Sequence, residues 1–169
     1  MSYINWKAYA NRLQPFDGDL IPVFDNGKRI SGAVKDHNFT VKDILAFNNV
    51  RAIELRTSKN LMCIDFDSLE AIRFAEAEGN FILEDLQTWL VQRDNQPSRV
   101  KFFFYRTKEQ QEALGEFEFT IPDQDLEVFS KTTKPATVLG WHRKSGLYRW
   151  FGTDPSKINS CPPKIWDFI

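Results

Sequence analysis

Leu61-Met62-Cys63-Ile64-Asp65-Phe66-Asp67 reads as a buried strand that delivers two carboxylates, one residue apart, at its C-terminal end. Side chains alternate along a strand, so Met62, Ile64 and Phe66 face one way and Cys63, Asp65 and Asp67 the other. The two acids lie roughly 7 Å apart along the backbone. From there they can converge on one or two divalent ions about 3.5–4 Å apart, the geometry of in-line phosphoryl or nucleotidyl transfer. Magnesium suits such a pair, because it takes hard oxygen ligands and keeps water and phosphate for its remaining positions. A simpler reading stands beside this one. Asp67-Ser68-Leu69-Glu70 precedes a helical run, so Asp67 also reads as an N-cap braced by Glu70. That reading leaves Asp65 unexplained, since a charge inside an apolar strand is costly without a cation or hydrogen bonds.

Upstream, Asn5 to Leu13 puts Trp6, Tyr9, Ala10 and Leu13 on one helical face, and Pro15 and Gly18 break the pattern. Leu20 to Phe24 predicts a short strand, followed by an Asp25-Asn26-Gly27 turn and the basic pair Lys28 and Arg29. A short helix is expected from Thr40 to Phe47. Val50 to Leu55 reads as a strand that turns through Thr57-Ser58-Lys59-Asn60 into the Asp65 strand as a hairpin.

Downstream, a helix runs to Glu78 and ends at Gly79-Asn80. Phe81 to Leu83 and Gln87 to Val91 look extended, and Arg93 to Arg99 reads as a polar loop. Val100 to Arg106 is an aromatic strand with Phe102 and Phe104 on one face and Lys101, Phe103 and Tyr105 on the other. A helix from Lys108 to Leu114 precedes strands at Gly115–Ile121, Leu126–Phe129, Thr137–Trp141 and Leu147–Trp150. The result is α+β, a mostly antiparallel sheet with helices packed on it.

The totals agree with one compact domain. A chain of 169 residues that is 42% hydrophobic can bury a core. Its 22 basic and 23 acidic residues give a formal charge of −1, so any nucleic-acid-binding surface must be local. Two cysteines exclude a disulfide scaffold, and two histidines leave no zinc-ligand spacing. No signal-peptide pattern and no apolar run of about 18–20 residues occurs, so a soluble, cytoplasmic protein without membrane contact is the expectation.

Four motifs in this order resemble the bifunctional DNA primase/polymerases, the prim-pol branch of the archaeo-eukaryotic primase superfamily. The Asp65/Asp67 strand is similar to the family's first acidic motif. Pro97 to Arg106 resembles its basic phosphate-binding strand, and Asp125-Leu126-Glu127-Val128-Phe129 its third acidic strand. Val138-Leu139-Gly140-Trp141-His142-Arg143-Lys144-Ser145-Gly146-Leu147-Tyr148-Arg149-Trp150 resembles its terminal hairpin. Two departures mark this chain: Lys101 or Arg99 stands near the place of a family histidine, and the third acid is Glu127 rather than Asp.

The resemblance implies an archaeo-eukaryotic primase-like core with an RRM-like sheet flanked by helices. Residues 1–150 would form the catalytic domain, with 1–50 an αβ lobe and 51–150 the metal- and nucleotide-binding sheet. Residues 151–169 would be an irregular tail leading toward a helicase domain. It implies DNA primase and DNA polymerase activity in phage or plasmid replication, within a bacterial, archaeal or phage-infected cell. Asp65, Asp67 and Glu127 would be catalytic and hold Mg²⁺ or Mn²⁺. Ser98, Arg99, Lys101, Arg106, His142 and Lys144 would bind the nucleotide. The implied partners are (d)NTPs, single-stranded or primer-template DNA, and a fused or separate helicase. Exposed aromatics such as Trp141 would stack on a base.

Two rivals belong to other classes. One is an idle prim-pol-like module that binds nucleotide or single strand without turnover. The other is a haloacid-dehalogenase-type phosphatase, which expects alternating βα units on a parallel sheet. A metal-dependent nuclease is a lesser third.

Overall fold

The computed structural model describes residues 5–29, 37–144, 146–150 and 153–169. The strands are β1 Leu20–Phe24, β2 Val50–Arg56, β3 Leu61–Phe66, β4 Trp89–Arg93, β5 Gln96–Tyr105, β6 Phe117–Ile121, β7 Leu126–Ser130, β8 Pro135–Trp141, β9 Leu147–Trp150 and β10 Asn159–Ser160. They form one ten-stranded sheet in the order β1-β2-β8-β9-β4-β5-β3-β7-β6, with β10 added to β5. Every pairing is antiparallel except that of β10. The helices are α1 Val41–Ala46, α2 Leu69–Gly79, α3 Lys108–Ala113 and α4 Pro163–Phe168, with a 3-10 helix at Trp6–Phe16.

The expected hairpin between β2 and β3 does not form. β2 pairs with β1 and β8, and β3 pairs with β5 and β7. In a flat sheet, β8, β9, β4 and β5 would hold β2 and β3 about 24 Å apart. The link 57–60 reaches at most about 17 Å. The sheet must therefore curl, bringing its two halves together where 57–60 and 131–134 cross. Thr57, fully buried, ties these crossings: its Oγ1 lies 2.9 Å from the Lys131 carbonyl and 3.1 Å from that of Lys134.

Curling gives the sheet an inside and an outside, and the alternation along β3 feeds both. Cys63 points inward with Trp89, Phe103 and Phe129, where Trp6, Ala10, Leu13 and Phe16 of the 3-10 helix close the core. Met62, Ile64 and Phe66 point outward with Phe102 and Phe104, under Ala71 and Ala75 of α2 and Ile165 of α4. Ala10, Leu13 and Phe16 recur every third residue, matching the three-residue turn of a 3-10 helix. That period leaves Tyr9, expected on the buried face, 44% exposed and carries the helix past Pro15.

Local chemistry explains the helix ends. Thr40 with Asp43, and Thr107 with Gln110, form capping boxes. Ser68, not Asp67, caps α2 by accepting from the Ala71 amide, and Asn80 ends it in the left-handed region at φ 48°. The N-cap reading of Asp67 is thereby corrected, and its carboxylate is left for other work.

Three further expectations change. The polar loop at 93–99 is a tight hairpin, because β4 runs to Arg93 and β5 starts at Gln96. The tail 151–169, read as irregular, contributes in its described residues 153–169 β10, α4 and a short 3-10 helix at Pro155–Lys157, with Ile158, Cys161 and Ile165 buried. Phe81 and Ile82 are not strand residues; a 3-10 turn at Leu83–Asp85 follows them.

Candidate functional site

The site grows from the middle of the curled sheet. On the inner face, Asp65 of β3 stands directly opposite Lys101 of β5 on one side and Glu127 of β7 on the other. Opposed residues in an antiparallel pair have Cβ atoms about 4.5–5.5 Å apart, and like charges facing each other this way are destabilising. Packing alone would not select the Asp65–Glu127 pair. Asp67 follows just past the strand, where its amide donates to the Asp125 carbonyl at 2.9 Å.

Each acid meets a cation, although Lys134 is shared between Glu127 and Glu118, whose Oε1 lies 2.8 Å from its Nζ. Lys101 Nζ is 2.5 Å from Asp65 Oδ2, Arg99 Nη1 is 2.9 Å from Asp67 Oδ1, and Lys134 Nζ is 3.1 Å from Glu127 Oε2. The first pair is nearly closed to solvent, with 12% and 14% of the two side chains exposed. Burial alone would lower the pKa of Lys101; the Asp65 charge leads the opposing effects, and the net result is raised. Burial and then the nearby Asp65 raise that of Asp67.

Asp65 Oδ1 is buried with no hydrogen-bond partner. Among the described residues, no three His, Cys, Asp or Glu side chains group closely enough to hold a metal ion as placed. In donor type, three hard carboxylates on one face with one buried oxygen unsatisfied are what Mg²⁺ or Mn²⁺ takes, and holding one ion in common would require their side chains to move.

Beside the acids lies a basic cavity of about 330 Å³ lined by Arg93, Gln96, Arg99, His142, Arg143 and Lys144. Two hairpins build it. Asp94, in the β4–β5 turn, accepts from the Leu147 amide at 2.8 Å and from Arg149 at 3.0 Å, locking that turn to β9. Arg51 of β2 donates to the Trp141 carbonyl at 3.1 Å and to the His142 carbonyl, fixing the β8–β9 end. Within this frame Arg93 is almost fully buried, and its guanidinium lies over the Tyr148 ring. Burial, then the charges of Arg93, Arg143, Arg99 and Arg51, push the His142 pKa down to about 4. A second recess of about 290 Å³ shares His142 and Arg143 and is rimmed by Trp141, 42% exposed. At its base, the buried Glu54 is held by Arg29, with Nη2 2.8 Å from Oε1.

The expected residues divide. Asp65, Asp67 and Glu127 share one face, with Arg99 and Lys101 beside them and His142 and Lys144 in the adjoining cavity. Arg106 does not belong. It is 4% exposed, and its guanidinium donates to the carbonyls of Lys59, Gln110, Leu114 and Gly115 and to Ser130 Oγ. It is a structural cation. Ser98 lies where β4 and β5 slip register after Gln92, and it lines neither cavity. Ser145, in the terminal-hairpin motif, lies outside the described residues. Arg93 and Arg51 went unnoticed in the sequence; one sat in an apparent loop and the other in an apolar strand.

No protein-family model matches the chain, and no curated protein matches it.

Proposed function

We propose that this protein is a nucleotidyltransferase of the prim-pol kind, joining (d)NTPs to a 3′-hydroxyl on a DNA template. The observation that carries the reading is the register of three adjacent strands, which sets Asp65 between Lys101 and Glu127 with Asp67 at the strand end. The neighbouring cavity supplies what a triphosphate needs. Four of its six lining residues, Arg93, Arg99, Arg143 and Lys144, carry fixed positive charge on a chain whose formal charge is −1.

Asp65, Asp67 and Glu127 are the residues that would hold Mg²⁺ or Mn²⁺, which when bound neutralises phosphate charge and lowers the pKa of the attacking hydroxyl. The arginines and Lys144 hold the phosphates and stabilise charge developing on the leaving pyrophosphate. Lys101 meets phosphate as a point charge. His142 adds a neutral donor. Trp141 offers an exposed ring on which a base stacks.

The phosphatase alternative fits poorly, since β3 pairs antiparallel on both sides. The idle binding module is favoured by one observation: every acid of the site is already ion-paired. No described helix is long and apolar enough to cross a membrane.

Primer extension on a labelled primer-template, with dNTPs and Mg²⁺ or Mn²⁺, separates the readings. Extension by the wild type that vanishes in Asp65→Ala is the expected result, and a primer-free template then tests priming. Nucleotide binding without extension would leave the binding module in its place.

A further inference from the structure

We propose that Lys101 gates the acid site: its ammonium holds the cation position beside Asp65 until the phosphates of a nucleotide draw it away. Metal and nucleotide then bind as a coupled pair. This rests on the nucleotidyltransferase reading and adds an order of events to it.

The three ion pairs of the site are not equivalent. Arg99–Asp67 and Lys134–Glu127 are each 30–43% exposed at the side chain, so water readily replaces either partner. Lys101–Asp65 is shorter, at 2.5 Å, and only 12% and 14% exposed. It is also incomplete. Lys101 satisfies Oδ2, while Oδ1 stays buried without a partner. Mg²⁺ sits about 2.0–2.1 Å from its oxygen ligands. With the ammonium against the other oxygen of the same group, two cations would lie within a few ångströms in a site poorly screened by water. Both cannot stay.

Lys101 also has somewhere to go. Its Nζ lies 5.6 Å from the Tyr148 ring centroid, and that ring meets His142 at 6.0 Å, which lines the basic cavity. A lysine carries a compact charge on a flexible stem, so a phosphate placed there can take the ammonium that Asp65 gives up. Exchanging carboxylate for phosphate keeps Lys101 paired and frees Asp65. Linkage then requires each ligand to raise the other's affinity by the same factor.

The test is Mn²⁺ binding to the intact chain, read by electron paramagnetic resonance of free Mn²⁺, with and without a non-hydrolysable dNTP analogue, each titration corrected by a protein-free one because the triphosphate itself chelates Mn²⁺. Wild type should bind Mn²⁺ at least roughly tenfold more tightly when the analogue is present, within the usual range of such couplings. Lys101→Gln should bind Mn²⁺ more tightly without nucleotide, by a similar factor, and lose most of the coupling. Circular dichroism checks that the variant folds, and the wild-type arm stands without it. Equal Mn²⁺ affinity with and without the analogue would sink the gate while leaving the metal site intact. No Mn²⁺ binding to either protein under any condition would sink the nucleotidyltransferase reading and the gate with it. Asp65→Asn, losing Mn²⁺ in both conditions, ties the signal to this carboxylate.

Discussion

Arg93 and His142 meet across the two hairpins, with the guanidinium Nη1 3.1 Å from the imidazole Nδ1. An arginine has no acceptor, so Nδ1 must accept and the proton of the neutral ring resides on Nε2. The Lys144 amide, 3.3 Å from the same nitrogen, reinforces that tautomer. The basic cavity thus keeps its histidine neutral and presents it as a donor.

His142 is therefore expected to titrate near 4, well below the ordinary histidine value of about 6.5. The chain has only two histidines, His37 and His142, so proton NMR of the ring C–H signals resolves both. Pyrophosphate in the cavity should move the His142 titration upward. The sign for stability follows. Between pH 6.5 and 4 the unfolded chain binds the extra proton and the folded one does not, so stability falls as pH drops through that window. His142→Gln should flatten that limb of the profile. A His142 midpoint near 6.5 in the free protein would contradict the cavity's electrostatics.

Arg106 is predicted to matter for stability and not for chemistry. Its removal takes the donor from the buried Gln110 carbonyl and from the part-buried carbonyls of Lys59, Leu114 and Gly115, and charge-assisted hydrogen bonds contribute about 1.5–3 kcal/mol each when lost singly. Arg106→Leu should lower unfolding stability by about 3–5 kcal/mol in urea titration. Whatever remains folded should bind nucleotide like the wild type. Selective loss of nucleotide affinity with unchanged stability would return Arg106 to the site.

The contrast between Arg106 and Lys101 shows what a sequence can and cannot reveal here. Strand period put Asp65 on the Cys63 side of β3 and Lys101 on the Phe103 side of β5, because alternation is local and two residues long; only the register of β5, β3 and β7 shows that Lys101, Asp65 and Glu127 stand side by side. The cage around Arg106 is assembled from residues 59, 110, 114, 115 and 130, and no local pattern announces it. The β2–β3 link failed for the same reason. Thr57-Ser58-Lys59-Asn60 has turn chemistry, but β8, far along the chain, takes the edge of β2 that a hairpin would have used. Arg93 was hidden differently: the Asp94-Asn95 turn and the bulge after Gln92 made strand residues look like loop.

Gly140 sets the geometry of the hairpin that carries Trp141 and His142. It has φ +98°, and a Cβ there would lie 2.3 Å from the Arg51 carbonyl oxygen and 2.6 Å from the Ala52 Cα. Both are backbone atoms that cannot turn aside. Gly140→Ala should cost about 2–4 kcal/mol. It should also weaken nucleotide binding, because β8 can relieve the clash only by shifting away from Arg51, which anchors the Trp141 and His142 carbonyls. Calorimetric melting together with nucleotide titration would check both effects. An unchanged melting temperature would mean that β2 and β8 tolerate more separation than their register implies.

Asp67 reads as a residue kept at the expense of stability. Burial and the neighbouring Asp65 raise its pKa above the usual carboxylate value, with Lys101 and then Arg99 offsetting only part of this. A carboxyl whose folded pKa is raised destabilises the native state once pH climbs from about 3.8 through the raised value, and the penalty persists at neutral pH. Asp67→Asn should therefore make the metal-free protein more stable at pH 7. The gain should stay under about 1 kcal/mol, since the side chain is 43% exposed and screened by solvent. It should vanish below pH 3.8, where both forms are neutral. Added Mn²⁺ together with a non-hydrolysable dNTP analogue reverses the ranking, because ligands that bind only the folded wild type stabilise it by mass action. Melting curves of the two proteins with and without Mn²⁺ and the analogue should cross in this way. If Asp67→Asn is less stable than wild type without metal, the Arg99–Asp67 pair is a structural bond and the carboxylate is not held for a ligand.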